Sequence, residues 1–243
     1  MMACERDVEC ETPDDVTVEN IPWISYMAVT NGINVVVEGN IKELLIASEE
    51  LETIEFSGTV KSIYLFPGVN KMIVKWPIGL KSLTIDGEPN VNIPDLEYLS
   101  IRYVGIPSDT IAGPLFIYSN IENVKIESSK FDQLKFLGKV DFVTLRHCKE
   151  LKNIEFAHDP KSLHLYKCHN IEIIPIADMV NVFENHSKIL KFEGFKKAKV
   201  YYCKAEYFDI GNSDPDGIIY SECGNLICLN TNNAKNTYNV SIE

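Results

Sequence analysis

The chain is short of most features that announce a function. It has no apolar run approaching the ~18 residues a membrane-spanning helix needs. It has no GxSxG, no HExxH, no phosphate-binding loop and no dinucleotide fingerprint, so the commonest hydrolase, metalloprotease and nucleotide-binding chemistries lack their sequence marks. Its 7 cysteines are odd in number and none falls in a CxxC pair, which argues against a disulfide framework and a zinc finger. Basic residues are scarce: 23 Lys and Arg stand against 35 Asp and Glu, for a net charge of −12. That balance repels phosphate backbones and anionic lipid, so neither nucleic acid nor a membrane is the expected partner. It also favours a soluble monomer. The first fifteen residues carry Glu5, Asp7, Glu9, Glu11, Asp14 and Asp15, unlike the basic-then-apolar pattern of a secretory signal. The expected location is therefore cytoplasmic. The sequons at Asn185-His186-Ser187 and Asn239-Val240-Ser241 are then read as chance matches.

What the chain does have is a repeat. Hydrophobic residues make up 45% of its 243 positions, enough for a real core. They recur as apolar, two variable, apolar, one variable, apolar. The pattern appears as Ile41-Leu44-Ile46, Leu51-Ile54-Phe56, Val60-Ile63-Leu65, Leu80-Leu83-Ile85 and Leu96-Leu99-Ile101. It returns as Ile121-Val124-Ile126, Phe131-Leu134-Phe136, Val140-Val143-Leu145 and Leu151-Ile154-Phe156. Residues two apart on a strand point to the same side. Copies lie about ten residues apart, which leaves room for a strand and a corner but not for a helix. The spacing predicts coils of about 20 residues, each with two short strands on opposed parallel sheets. Leu44, Ile63, Leu83, Val124, Val143, Leu163, Val182, Val200 and Ile218 are assigned the same phase, with an irregular stretch from Glu88 to Asn120.

A longer match sharpens this. Val143-x-Leu145-x-x-Cys148-x-x-Leu151 recurs as Leu163-x-Leu165-x-x-Cys168-x-x-Ile171 and as Ile218-x-Tyr220-x-x-Cys223-x-x-Leu226. This resembles the leucine-rich-repeat signature in its cysteine-containing variant. Trp76-Pro77-Ile78-Gly79-Leu80-Lys81-Ser82-Leu83 and Pro160-Lys161-Ser162-Leu163 are similar to the lead-ins of BspA-type and FNIP-type repeats. The resemblance implies a right-handed parallel β-solenoid with little helix. It also implies inward-turning cysteines stacked in a ladder that plugs one corner. Gly68, Glu88, Ser129 and Ser187 are taken to occupy the same ladder position in other coils. Residues 1–15 are expected to form a disordered acidic tail, 16–40 an N-terminal cap, 41–230 the solenoid and 231–243 a C-terminal cap or tail; Asp214-Pro215-Asp216-Gly217 reads as a turn.

Candidate chemistry is thin. His147, Cys148, His158, His164, Cys168 and His169 form the one cluster of soft ligands. The solenoid register turns Cys148 and Cys168 inward and His164 outward, so it splits the cluster over two sides of the wall. Neither a metal site nor a Cys–His nucleophile follows, and no cofactor is expected. Glu55, Glu155 and Asp209 sit at outward strand positions but coils apart, too far for a catalytic pair.

The outward faces suit binding better. One carries Tyr64, Thr84, Lys125, Thr144, His164, Tyr201 and Ile219 between the inward residues, with Arg146 and Tyr166 just after. Aromatic residues and Arg are enriched at interface centres. The other offers Glu55, Lys135, Glu155, Lys191 and Asp209, mainly charged. The sequence therefore predicts a non-enzymatic scaffold binding a protein partner through Tyr64, Thr84, Arg146, His164, Tyr166 and Tyr201. Two alternatives stay open at this level, a carbohydrate-active β-helix enzyme and a surface adhesin of BspA type.

Overall fold

Inward-facing triplets need a strand that changes parity, because Ile41 and Leu44 are three apart and strict alternation would put them on opposite faces. The computed structural model of the chain shows how this is done. It describes residues 16–18, 24–30, 32, 34–48, 50–66, 73–87, 91–102, 113–128, 130–210, 217–221, 223, 228–230 and 237–239. Strand Asn40–Ile46 pairs with Thr59–Leu65 through every residue except Lys42 and Lys61. Ile121–Glu127 likewise skips Glu122 against Val140–Arg146. One residue drops out of the ladder at the start of each such strand, and the parity flips there. Ile41, Leu44 and Ile46 are then all buried, as are Ile121, Val124 and Ile126.

The protein is mainly β, a parallel β-solenoid with two strands in a typical coil and no helix among the described residues. The chain divides into two compact units, 1–105 and 106–243. In the first, a long sheet runs Ile24–Val29, Asn40–Ile46, Thr59–Leu65, Ser82–Asp86, Leu96–Arg102, each strand parallel to the next. Its short sheet runs Val16–Val18, Asn34–Val37, Thr53–Phe56, Ile73–Val74. Within the stretch expected to be a cap, the described strands thus join the same ladders as the coils that follow. Leu99 pairs with Leu83, so the first part of the irregular stretch keeps the long-sheet register.

The second unit repeats the plan. Its long sheet runs Ile121–Glu127, Val140–Arg146, Ser162–Tyr166, Ala177–Phe183, Phe195–Tyr201, Gly217–Ser221, Thr237–Asn239. Opposite it, Leu115–Ile117, Gln133–Phe136 and Asn153–Phe156 form one short sheet, and Ile173–Ile174, Ile189–Phe192, Tyr207–Asp209 and Cys228–Asn230 form another. Inward side chains of both faces fill the space between. Phe136 stacks on Phe156 at 4.9 Å, and Phe192 meets Phe195 edge-on at 5.2 Å. Corners between the faces are tight enough to exclude a side chain in places. A Cβ on Gly138 would lie 2.1 Å from the Ser119 carbonyl oxygen, one coil back.

Register corrects one part of the sequence reading. Leu163 pairs with Val180 and Val180 with Ala198, while Val182 and Val200 stand opposite Leu165 and Tyr220. Val182 and Val200 are therefore the second inward residues of their strands, not the first. The tail 1–15, the positions Gly68, Glu88 and Ser129, and the turn residues Asp214, Pro215 and Asp216 lie outside the described residues.

Candidate functional site

In the second unit the five long strands from Ile121–Glu127 to Phe195–Tyr201 end in the same corner. Ser128, His147, Lys167, Glu184 and Tyr202 adopt left-handed backbone conformations, with φ between 53° and 57°. For a non-glycine residue this costs about 1–2 kcal/mol. The cost is offset by a bond to the next coil. The N–H groups of Ser128, His147, Lys167 and Glu184 donate to the carbonyls of Arg146, Tyr166, Phe183 and Tyr201 at 2.8–3.0 Å. The following residue then turns inward. It is Cys148, Cys168, Asn185 or Cys203, each buried.

The cysteine thiols are weak donors to carbonyls of their own or the preceding coil. Cys148 reaches Arg146 O at 3.4 Å, Cys168 reaches Leu145 O at 3.6 Å and Cys223 reaches Val200 O at 3.6 Å. Contact with the Cys148 thiol, followed by burial, raises the Cys168 pKa; Cys223 and burial do the same to Cys203. These are protonated, poorly nucleophilic sulfurs. Asn185 fills the same position with a better set of bonds. Its Nδ2 donates to Cys168 O at 2.8 Å and Ile171 O at 3.0 Å, and its Oδ1 accepts from Ser187 N at 2.7 Å. Asn185, not Ser187, is thus the ladder residue of its coil. Its amide is turned into the wall, away from any modifying enzyme.

Just outside this corner, the strand ends form an outward row. Register places Arg146, Tyr166, Phe183 and Tyr201 side by side. The Arg146 guanidinium lies 5.1 Å from the Tyr166 ring centre, a cation–π contact. Tyr166 meets Phe183 at 6.0 Å, and Phe183 meets Tyr202 edge-on at 5.0 Å. His164 sits beside Tyr166 at 6.4 Å. Burial holds its imidazole below the usual histidine pKa and so neutral. The next row inward runs Thr144, His164, Asn181, Lys199. Tyr201 therefore belongs with Tyr166, one position further out than the sequence reading put it. Phe183 and Tyr202 were missed there altogether. The αL turn at Tyr202 is what swings its ring back against Phe183.

Tyr64 and Thr84 lie in the first unit, in register on adjacent strands. Tyr64 has an internal task. Its hydroxyl bonds both the Asp86 carboxylate and the Arg102 guanidinium. Arg102 also forks onto Asp86 at 2.7 and 2.9 Å. Burial pushes the Asp86 carboxyl up. The bidentate Arg102 contact supplies the opposing charge to this side chain, which is only 7% exposed. The Tyr64 ring carries Arg102 at 5.3 Å and Phe66 at 5.0 Å.

The short faces are charged. Lys135 and Glu155 are in register and paired at 2.8 Å. At the corner, His169 and His186 stack face to face at 3.9 Å, and burial followed by the neighbouring His186 lowers the His169 pKa. No group of three or more His, Cys, Asp or Glu is arranged to hold a metal among the described residues. In comparisons with known proteins, no family model matches the chain, and neither a curated protein nor a solved structure matches it.

Proposed function

We infer that the chain is a non-enzymatic interaction scaffold of leucine-rich-repeat character, acting in the cytoplasm as a monomer and binding a protein partner through the long face of its second unit. The observation that carries this reading is the chain of contacts Arg146–Tyr166–Phe183–Tyr202. These are the residue types that dominate interface energetics, and here each is braced by its neighbour. A side chain already held in place loses little entropy on binding, so a braced row converts contact into affinity more fully than loose side chains do. Arg146 is exposed while Tyr166 and Phe183 are half-buried, which gives a wet rim around a partly desolvated centre. His164 and Tyr201 extend the patch. The first unit offers a separate candidate surface, the Tyr64 ring with its hydroxyl committed to Asp86 and Thr84 beside it.

The test is affinity capture followed by a direct binding titration with the recovered protein. Tyr166→Ala with Phe183→Ala and Tyr202→Ala should abolish recovery, and a Tyr64→Ala, Tyr166→Ala, Tyr201→Ala variant should weaken it. Lys191→Ala on the short face should change nothing. Recovery that survives the first variant and fails with the second would move the site to Tyr64 or Tyr201, which the two single variants tell apart. Recovery that survives both would end the reading.

A further inference from the structure

The short face of the second unit is parted in one place. Asn153–Phe156 and Ile173–Ile174 face each other across consecutive coils, but no ladder joins them. The reason lies in one residue. Asn153 and Ala157 donate their N–H groups back to Asp132 O and Phe136 O. Lys191 and Glu193 donate back to Glu172 O and Ile174 O. With the buried Ile154 and Ile174 at equivalent positions, the same rhythm asks residue 175 to donate to Ile154 O. Residue 175 is proline and has no N–H to give.

The parting opens a groove of about 400 Å³. Its walls are Phe156, Ile173 and Ile176, and its rim carries Glu155, Asp159 and Glu193. Ile173 and Ile176 are 46% and 44% exposed, an apolar surface left in water. No lysine, arginine or histidine lines it. Lys135 engages Glu155 from the neighbouring strand, while Asp159 and Glu193 meet no cation among the described residues. Apolar walls under a carboxylate rim match one kind of side chain: a long aliphatic stem ending in a cation.

We propose that this groove binds a lysine or arginine side chain of an extended segment in a basic protein partner. The stem lies along Ile173 and Ile176, and the cation sits between Glu193 and Asp159, competing with Lys135 for Glu155. The net charge of −12 draws such a segment in from a distance. The groove lies on the face opposite the aromatic row, so each site is tested by variants that leave the other untouched.

The test uses the full chain and a short fluorescein-labelled peptide alternating lysine and threonine, followed by fluorescence anisotropy. Glu155→Gln with Asp159→Asn and Glu193→Gln should weaken binding about tenfold or more. Ile173→Ser with Ile176→Ser, which leaves the charge unchanged, should weaken it severalfold. All five side chains are exposed, so each variant folds, which circular dichroism checks. Glu43→Gln with Glu50→Gln and Glu52→Gln, on exposed positions of the first unit, removes the same charge and should leave binding within about twofold. Equal losses in the two charge variants would reduce the effect to net charge and overturn the site. Binding indifferent to the isoleucine changes, or spermine binding as tightly as the peptide, would overturn the peptide assignment.

Discussion

Asn185→Ala tests the corner ladder most directly. The substitution removes the donor to Cys168 O and Ile171 O and the acceptor of Ser187 N. Ile171 O keeps a second donor in the Ser187 hydroxyl at 3.0 Å. That leaves Cys168 O and Ser187 N without the amide, in a corner where Asn185 itself is 1% exposed. A buried polar group stripped of its partner costs about 1–3 kcal/mol. Two such groups, less the relief of no longer burying an amide, give a loss of roughly 2–4 kcal/mol. For a chain of this size each kcal/mol lowers Tm by about 2–4 °C, so a fall of roughly 5–15 °C is expected by calorimetry. Urea unfolding monitored by circular dichroism gives the free energy independently. Asn185→Cys installs the residue the neighbouring coils use and should recover about half of the loss, because a thiol refills the corner and donates weakly. Asn185→Asp should be worse than Ala at neutral pH and improve on acidification, since two carbonyls would face a carboxylate. An alanine variant within about 1 kcal/mol of wild type would refute the ladder as a source of stability.

Gly138→Ala should cost about 2–3 kcal/mol or abolish soluble expression, because the new methyl group meets the Ser119 carbonyl; urea unfolding reads it. His164 and His169 have folded pKa values below their ordinary 6.5, so as pH falls the unfolded chain takes up protons first. Stability should therefore be full above pH 6.5 and decline below it, and His164→Gln with His169→Gln should flatten that decline in Tm measured from pH 7.5 to 5. Glu127 and Asp141 are held low by Lys125 and Lys161, so their contribution persists until the pH falls below 4.5 and is a separate, more acidic step. Cys148, Cys168 and Cys203 should react with a thiol reagent only in denaturant, and rapid labelling of any of these three in the native chain, located by peptide mapping, would contradict their burial and the raised pKa of Cys168 and Cys203. Pro175→Ala supplies the missing donor; hydrogen exchange should find the new amide protected and basic-peptide binding reduced, whereas an unprotected amide would show that proline does not cause the parting.

The inward triplets, the two strands per coil and the inward cysteines were legible because burial imposes a strict pattern on apolar residues. The errors share one origin. Coils of the second unit shorten after Leu163, whose partner Val180 is only seventeen residues on. Steps of nineteen and then eighteen land on Val182 and then on Val200, in preference to the weakly apolar Ala198. From that one slip of two positions, Ser187 replaced Asn185 in the ladder, and Tyr201 moved a row inward, hiding Phe183. Fitting the ladder template to Val180-x-Val182-x-x-Asn185 and Ala198-x-Val200-x-x-Cys203 would have corrected both. The Tyr64–Asp86–Arg102 knot was not legible, because its members are far apart in sequence and its acid and base look like ordinary strand-end charges. Nor was the groove, which we attribute to the missing amide hydrogen of Pro175.

That absence also gives the second unit a line of weakness with a definite direction. Ser162–Tyr166 is laced to both neighbours on the long face, while the opposite face is unlaced at the same level. A wall stitched along one side only flexes about the stitched side. Wedging the short face apart would bow the long face at the strands that carry Arg146, Tyr166 and Phe183. A ligand in the groove and a partner on the aromatic row would then each alter the affinity of the other by the same factor, readable from either side. A proline just past one short strand thus leaves the two faces of the second unit unequally joined at that level.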